Sequence, residues 1–433
     1  MSKLPDTLRL QSVVPCSGEV TLPGSKSIAN RALLLAALCR QPVVLHNMLR
    51  SDDTARMMDA LNALGVGLTV DNHTQVTVAG CGGRWKPQQQ VLQLGNAGTA
   101  MRPLLAVLAA TLNDDQQLRL DGDPRMRERP VKDLVDSLAQ QQAGISYLGQ
   151  QGYPPVEVCG GLQAGHFSID GSVSSQFISA LLIALPLLAG DSSLTLTGNI
   201  VSRPYIDLTL AMLDDFGVRI DTVSEQEFFI PGKQSLRSPG DYFVEGDASG
   251  ASYWMAAAAI SGGSLTIKGV GKDSIQGDVD FTEVVSRMGA DVEFFANAIR
   301  VTGGQPLQAI DFDGNAIPDA SMTLAPLALF AKGTTAIRNV ANWRVKETDR
   351  LAAMATELRK TGATVEEGSD YLLITPPERW QHATVDTYDD HRMAMCFALA
   401  SFSPAGVSIN DPACCAKTYP QFFSEFSRLC HLT

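Results

Sequence analysis

Residues 94–103 read LGNAGTAMRP, set between a strand-like VLQL and the apolar run LLAVLAA. Gly95 and Gly98 permit a tight turn and a close approach to the backbone, and the first N–H groups of the following helix point outward from it. A helix start of this kind favours an anion. One such junction is an ordinary way to join a strand to a helix, so the weight lies in its repetition. The pattern recurs as LPGSKSIANRALLLAAL from Leu22, IDGSVSSQFISALLIAL from Ile169, VEGDASGASYWMAAAAI from Val244, IPDASMTLAPLALFA from Ile317 and YDDHRMAMCFALA from Tyr388. Each is a turn of small or polar residues opening an apolar helix. A short alternating strand follows, with its second apolar residue at Leu45, Leu120, Leu196, Ile267, Ile337 and Ile409, giving gaps of 75, 76, 71, 70 and 72 residues by subtraction. A second helix then ends at Gly65, Gly144, Gly217, Gly289 or Gly362, the expected left-handed caps. The chain is therefore six copies of one unit.

The sixth copy is incomplete. After Ile409 comes one more helix, with Phe422, Phe423, Phe426 and Leu429 at helical spacing, and the sequence stops before the strands that should follow. TLRLQ and EVTLPG, near the N-terminus, have no helix ahead of them. They are expected to supply the missing strand pair, so that residues 1–24 join the C-terminal part of the molecule.

The composition is that of a soluble globular protein of two to three domains: 433 residues, 45% hydrophobic and 18% charged. The longest apolar run, ISALLIALPLLAG, is broken by Pro186 and is too short to span a membrane. The N-terminus lacks the apolar core of a signal peptide, which places the protein in the cytoplasm. Eight scattered cysteines, of which only Cys414 and Cys415 are adjacent, suggest buried thiols rather than a zinc site or a disulfide framework. A net charge of −12 excludes nucleic-acid or anionic-membrane binding through a broad basic face.

Against that acidic background the cations are oddly placed. Lys26, Arg31, Arg102, Arg129, Lys346, Arg350, Arg392 and Lys417 all lie in or beside helix-opening turns. Cations are poor companions for the positive end of a helix, so an anion is expected between them. Asp52, Asp53 and Asp278 read as helix caps. Ser174 and Ser175 have the composition of a phosphate seat. His391, between Asp390 and Arg392, is positioned to orient a proton-transfer partner.

These motifs, with PRMRERP, VSRPYID, NWRVKETDR and AKTYP, resemble in order and over nearly the whole chain the 5-enolpyruvylshikimate-3-phosphate synthases of the enolpyruvyl transferase family. Ala29 and Arg203 stand where relatives often have Ser and Lys. The resemblance implies an α/β fold of two domains, residues 25–246 and 247–433, the second completed by 1–24. Each would hold three βαβαββ units around buried parallel helices. It also implies substrates. Lys26, Ser27, Arg31, Ser174, Ser175, Gln176, Ser202, Tyr205, Asp319, Asn342 and Lys346 would bind shikimate 3-phosphate. Lys26, Gly98, Arg129, Gln176, Arg350, Arg392 and Lys417 would bind phosphoenolpyruvate, and Asn96 and Thr99 flank Gly98 in the same turn. Asp319 is the expected base on the 5-hydroxyl, Lys26 and Glu347 the proton donors or relays, and His391 a support for Glu347. Neither a metal nor a cofactor is called for, since the cations supply the charge; a monomer is expected. The rival readings are a UDP-N-acetylglucosamine enolpyruvyl transferase, a non-catalytic phosphate-ligand binding protein and a repeat scaffold.

Overall fold

The computed structural model describes residues 4–12, 14–72, 74–113 and 115–430, so the outermost residues of the expected second domain, 1–3 and 431–433, lie outside the described residues. The chain forms two compact units: Gly24–Val244, and the segments on either side of it. Six small sheets are distributed three to each.

The second repeat displays the unit clearly. Strand Val91–Gln93 leads into helix Gly98–Thr111, which returns to strand Gln117–Asp121; the two strands pair in parallel with Leu92 opposite Leu120. Helix Lys132–Ala139 and a hairpin, Ile145–Tyr147 with Val156–Cys159, complete a βαβαββ sheet. The third repeat copies this arrangement from His166–Asp170 to Glu227–Ile230. The first begins with a helix, Lys26–Leu38, and its parallel edge strand comes from far away: Asp241–Phe243 pairs with Val43–His46. The unit thereby closes on itself.

In the first three repeats the first helix is apolar on nearly all sides and therefore central. Leu33, Leu34 and Leu35 are all fully buried, as are Leu104, Leu105, Leu108 and Leu181. Full burial of each such side chain contributes about 1.5–3 kcal/mol. Of the second helices, Asp52–Ala63 packs against strand Val91–Gln93 and Lys132–Ala139 against strand His166–Asp170, each in the following repeat.

In the other unit Ala248–Ser261 is the corresponding helix, buried from Ala248 to Ala259. The helix expected from Ile317 is broken into a 3-10 turn, Ala320–Thr323, and the five-residue Leu324–Ala328, which contains Pro326. The N-terminal strands do join this unit, but not as a hairpin. Thr7–Leu10 completes the sixth sheet, antiparallel to Val407–Asn410, whereas Ser17–Thr21 lies parallel to Ser264–Lys268 in the fourth. The reason is positional. The strand that should precede the fourth central helix, Asp241–Phe243, is already committed to the first sheet, and Ser17–Thr21 takes its place, with Val20 opposite Ile267.

Two further expectations are corrected. Gly65, Gly217, Gly289 and Gly362 do adopt left-handed caps, but near Gly144 the positive φ falls on Gln142, and Gly144 instead makes room for Cys159. Cys16 and Cys430 are joined as a disulfide. Their pairing follows from the strand placement, which brings the Ser17–Thr21 strand against the last helix, where Arg428 donates to the Glu19 carbonyl at 3.2 Å. Among the described residues no helix is long and apolar enough to cross a membrane.

Candidate functional site

The residues singled out from the sequence fall into two groups, one in each unit. In Gly24–Val244 they gather at the starts of the three central helices. Lys26 opens the first, nearly buried, with its ammonium 3.3 Å from Asp53 Oδ2. Asp53 was expected to cap a helix; Ser51 does that, accepting from Thr54 N, and Asp53 is the lysine's counter-ion. Arg31, one turn on, donates to the Ser27 carbonyl at 3.0 Å, Thr209 Oγ1 at 2.9 Å and Ser179 Oγ at 3.2 Å.

Around the second helix start, Arg129 donates to both the carbonyl and the side-chain oxygen of Asn96, at 3.0 and 2.8 Å, and Arg102 donates to Gln176 Oε1 at 2.8 Å. Gly98 sits against both guanidiniums: a Cβ there would meet Arg102 Nη1 at 2.2 Å and Arg129 Nη2 at 2.9 Å. Asn30 Nδ2 donates to Thr99 Oγ1 at 2.6 Å, fastening the first helix to the second. At the third, Ser174 is the N-cap and accepts from Gln176 N at 3.3 Å, with Ser175 the first helical residue. Ser202, in a left-handed conformation, leads into the helix carrying Tyr205.

The geometry of this group is lopsided in charge. Arg31 and Arg129 are 5% and 4% exposed, and every hydrogen bond described for them goes to a neutral oxygen. A buried cation without a carboxylate is costly. Burial pushes the Arg31 guanidinium down to about 10. Folding has left positive charge here in excess, which an incoming anion offsets.

The second group centres on Asp319. Arg392 Nη2 and Arg350 Nη1 each reach it at 2.9 Å, and Lys346 Nζ lies at 3.8 Å. Burial favours the neutral Asp319 carboxyl, but Arg392, Lys346 and Arg350 together outweigh it and hold the group well below the usual carboxylate range. Arg350 is fully engaged: besides Asp319 it meets Glu347 at 2.8 Å and Asp390 at 2.7 Å. Lys417 stands 3.9 Å from Glu347. His391 is completely buried, its Nδ1 3.6 Å from Asp390. Asn342 is buried in the turn that also holds Trp343, whose Nε1 donates to the Pro318 carbonyl at 2.7 Å beside Asp319.

Three contributors were not assigned a role from the sequence. Asp390 caps the His391–Ala398 helix through Arg392 N and grips Arg350, and its position just before a helix was the available signal. Arg102 was recognised as a cation but not assigned to the site. Asp278, expected as a helix cap, is buried and accepts from Ser249 Oγ at the start of the fourth central helix. Among the described residues no group of histidines, cysteines and carboxylates has the arrangement of a metal site.

Repeated helix starts that gather cations, with the carboxylates Asp53, Asp319, Glu347 and Asp390 set among them, define a repeat-built α/β enzyme acting on small polyanions. The EPSP synthase (3-phosphoshikimate 1-carboxyvinyltransferase) family matches residues 10–426, and the chain belongs to it. It is 64% identical to a relative named 3-phosphoshikimate 1-carboxyvinyltransferase from Idiomarina loihiensis, over 98% of this chain and 99% of that one. It is 54% identical to one of the same name from Vibrio cholerae, with the same coverage. Among solved structures it resembles an EPSP synthase from Acinetobacter baumannii, with a TM-score of 0.82 and 25% identity over 98% of both chains.

Proposed function

We propose that the two groups of residues carry out the reaction of this family, transfer of the enolpyruvyl group of phosphoenolpyruvate to the 5-hydroxyl of shikimate 3-phosphate with release of phosphate. The observation that carries the assignment of residues is the excess of buried cation, above all Arg31 and Arg129 bonded to neutral oxygens. Two phosphates and two carboxylates repel one another, and only fixed cations and helix starts hold them together.

Lys26, Ser27, Arg31, Ser174, Ser175, Gln176, Ser202 and Tyr205 bind shikimate 3-phosphate, joined by Asp319, Asn342 and Lys346. Lys26, Gly98, Arg129, Gln176, Arg350, Arg392 and Lys417 bind phosphoenolpyruvate. Asp319 takes the proton of the 5-hydroxyl as its oxygen bonds to the central carbon of the enolpyruvyl group. The methylene carbon receives a proton by way of Lys26 or Glu347, giving a tetrahedral ketal. Loss of a proton from the new methyl group and departure of phosphate restore the double bond. An acid and a base on opposite faces are what this addition and elimination require. His391, with its Nδ1 3.6 Å from Asp390, supports Glu347 by way of Asp390 and Arg350. Gly24–Val244 and the remainder act as the two domains of a cytoplasmic monomer.

Family membership does not favour the UDP-N-acetylglucosamine reading, and proton-transferring carboxylates set among the cations argue against a simple binding protein. Lys417→Met tests the division of labour. The Michaelis constant for phosphoenolpyruvate should rise far more than that for shikimate 3-phosphate, since a charge-assisted hydrogen bond contributes roughly 1.5–3 kcal/mol. Equal rises for both substrates would refute it.

A further inference from the structure

The turn that delivers Asp390 and Arg392 is strained. Tyr388 and Asp389, consecutive residues, have φ of 55° and 54°. A bulky residue in the left-handed region is an outlier, and such conformations persist only where their surroundings impose them. Here the constraint comes from below. Glu357, on helix Arg350–Lys360, is completely buried. Its Oε1 accepts from the Tyr388 hydroxyl at 2.7 Å, and its Oε2 accepts from Asp386 N at 3.1 Å and from Lys360 Nζ at 2.7 Å. Lys360 also reaches Asp386 Oδ2 at 3.0 Å and the Thr384 carbonyl at 3.1 Å, while Asn410 holds the other Asp386 oxygen at 2.8 Å. Both ends of the strained pair are therefore fixed: Asp386 before it and Asp390, bonded to Arg350 and to Arg392 N, after it.

The helix that carries Glu357 begins at Arg350. Asp390 joins the starts of the two helices, and Glu357 joins the middle of one to the entry of the other. We propose that Glu357 is a positioning residue, which through Tyr388 holds the left-handed turn that sets Asp390, and with it Arg350 and Arg392, in place for the anionic substrate. This rests on the assignment of Arg350 and Arg392 to phosphoenolpyruvate. Glu357 touches no reacting atom; it acts by imposing a backbone conformation.

Position 388 separates this role from simple packing. Tyr388→Phe removes the hydroxyl and keeps the strain, whereas Tyr388→Gly removes the hydroxyl and the strain at 388, the bulkier residue of the pair, because glycine adopts positive φ without penalty; Asp389 keeps its own conformation, which aspartate tolerates better. The Tyr388 ring is 41% exposed, so its packing contribution is small. Steady-state kinetics should give a roughly ten-fold rise in the Michaelis constant for phosphoenolpyruvate in Tyr388→Phe, with turnover and the constant for shikimate 3-phosphate less affected. Tyr388→Gly should stay within about two-fold of the wild type. Glu357→Gln should match or exceed Tyr388→Phe; if it does not fold, the Tyr388 pair carries the test alone. A phenylalanine variant equal to wild type, or a glycine variant worse than the phenylalanine one, would overturn the proposal. Arg392→Met, measured alongside, tells two failures apart. If it raises the constant while Tyr388→Phe does not, the positioning role alone is wrong; if neither does, the substrate assignment is wrong as well.

Discussion

Asp319 has two requirements that pull against each other. To take a proton from a hydroxyl it must be basic, yet Arg392, Lys346 and Arg350 hold it far down the acid range. On the proposed assignment, phosphate and carboxylate oxygens entering the site would draw on the same cations and raise the Asp319 carboxyl when substrate is bound. Asp319→Asn should therefore retain binding and lose about two or more orders of magnitude in turnover. Calorimetric titration and steady-state rates together check this; near-normal turnover would remove Asp319 from the base role. Asp278 shows the opposite balance. Burial, reinforced by Asp319 and Asp247 and opposed by Ser249 and Arg392, pushes it up to about 6. Because the folded protein keeps this proton to higher pH than the unfolded chain does, native stability falls as pH rises from about 4 to about 6 and no further above that. Asp278→Asn, still able to accept from Ser249, should gain on the order of 3 kcal/mol at pH 7 and nothing below pH 4. Denaturant melts at the two pH values decide it, and an equal effect at both would contradict the account. At this scale the clustering of cations near the turns was legible, but the argument that cations do not belong at helix starts fails for Arg129 and Lys417, which stand at the C-terminal ends of the 3-10 helices Met126–Glu128 and Pro412–Lys417, where positive charge is favourable. Asp53 and Asp278 were illegible because aspartate there is also the ordinary cap, and only the fold brings Lys26 and Ser249 to them.

Helix starts are the working elements, and Gly98 shows how closely they are fitted. A Cβ on Gly98 collides with the guanidiniums of Arg102 and Arg129, the ends of flexible side chains, so the helix survives and the cations move. Gly98→Ala should melt within a few degrees of the wild type and raise the Michaelis constant for phosphoenolpyruvate about ten-fold or more, with a smaller change for shikimate 3-phosphate. An unchanged constant would mean these guanidiniums do not face that substrate. The central helices of the first three repeats were legible because their nearly all-round apolar sequences admit little surface, whereas the equally apolar stretch from Ile317 breaks at Ala320–Ala328 around Pro326. The strands were legible as elements but not as partners. EVT carries no mark that distinguishes a place in the sixth sheet from one in the fourth, and the choice is made by where Asp241–Phe243 is already paired.

At the scale of the whole molecule, the repeat of 70 to 76 residues announced six sheets, and six are present among the described residues, the fifth with its central helix broken at Ala320–Ala328. What repetition cannot announce is the exchange of edge strands, since a displaced strand leaves the period intact. Asp241–Phe243 closes one unit and the N-terminal strands complete the other, so the first, fourth and sixth sheets each take a strand from a distant part of the chain, while the second, third and fifth are built from consecutive strands. The same architecture places three central helix starts in Gly24–Val244, and their surplus positive charge is the basis of the functional assignment. The most direct test is phosphate release from phosphoenolpyruvate by the purified wild-type protein, with shikimate 3-phosphate or UDP-N-acetylglucosamine as acceptor. Release that depends on shikimate 3-phosphate, and none with the nucleotide sugar, is the predicted result; release with the nucleotide sugar, or with neither, would contradict the account.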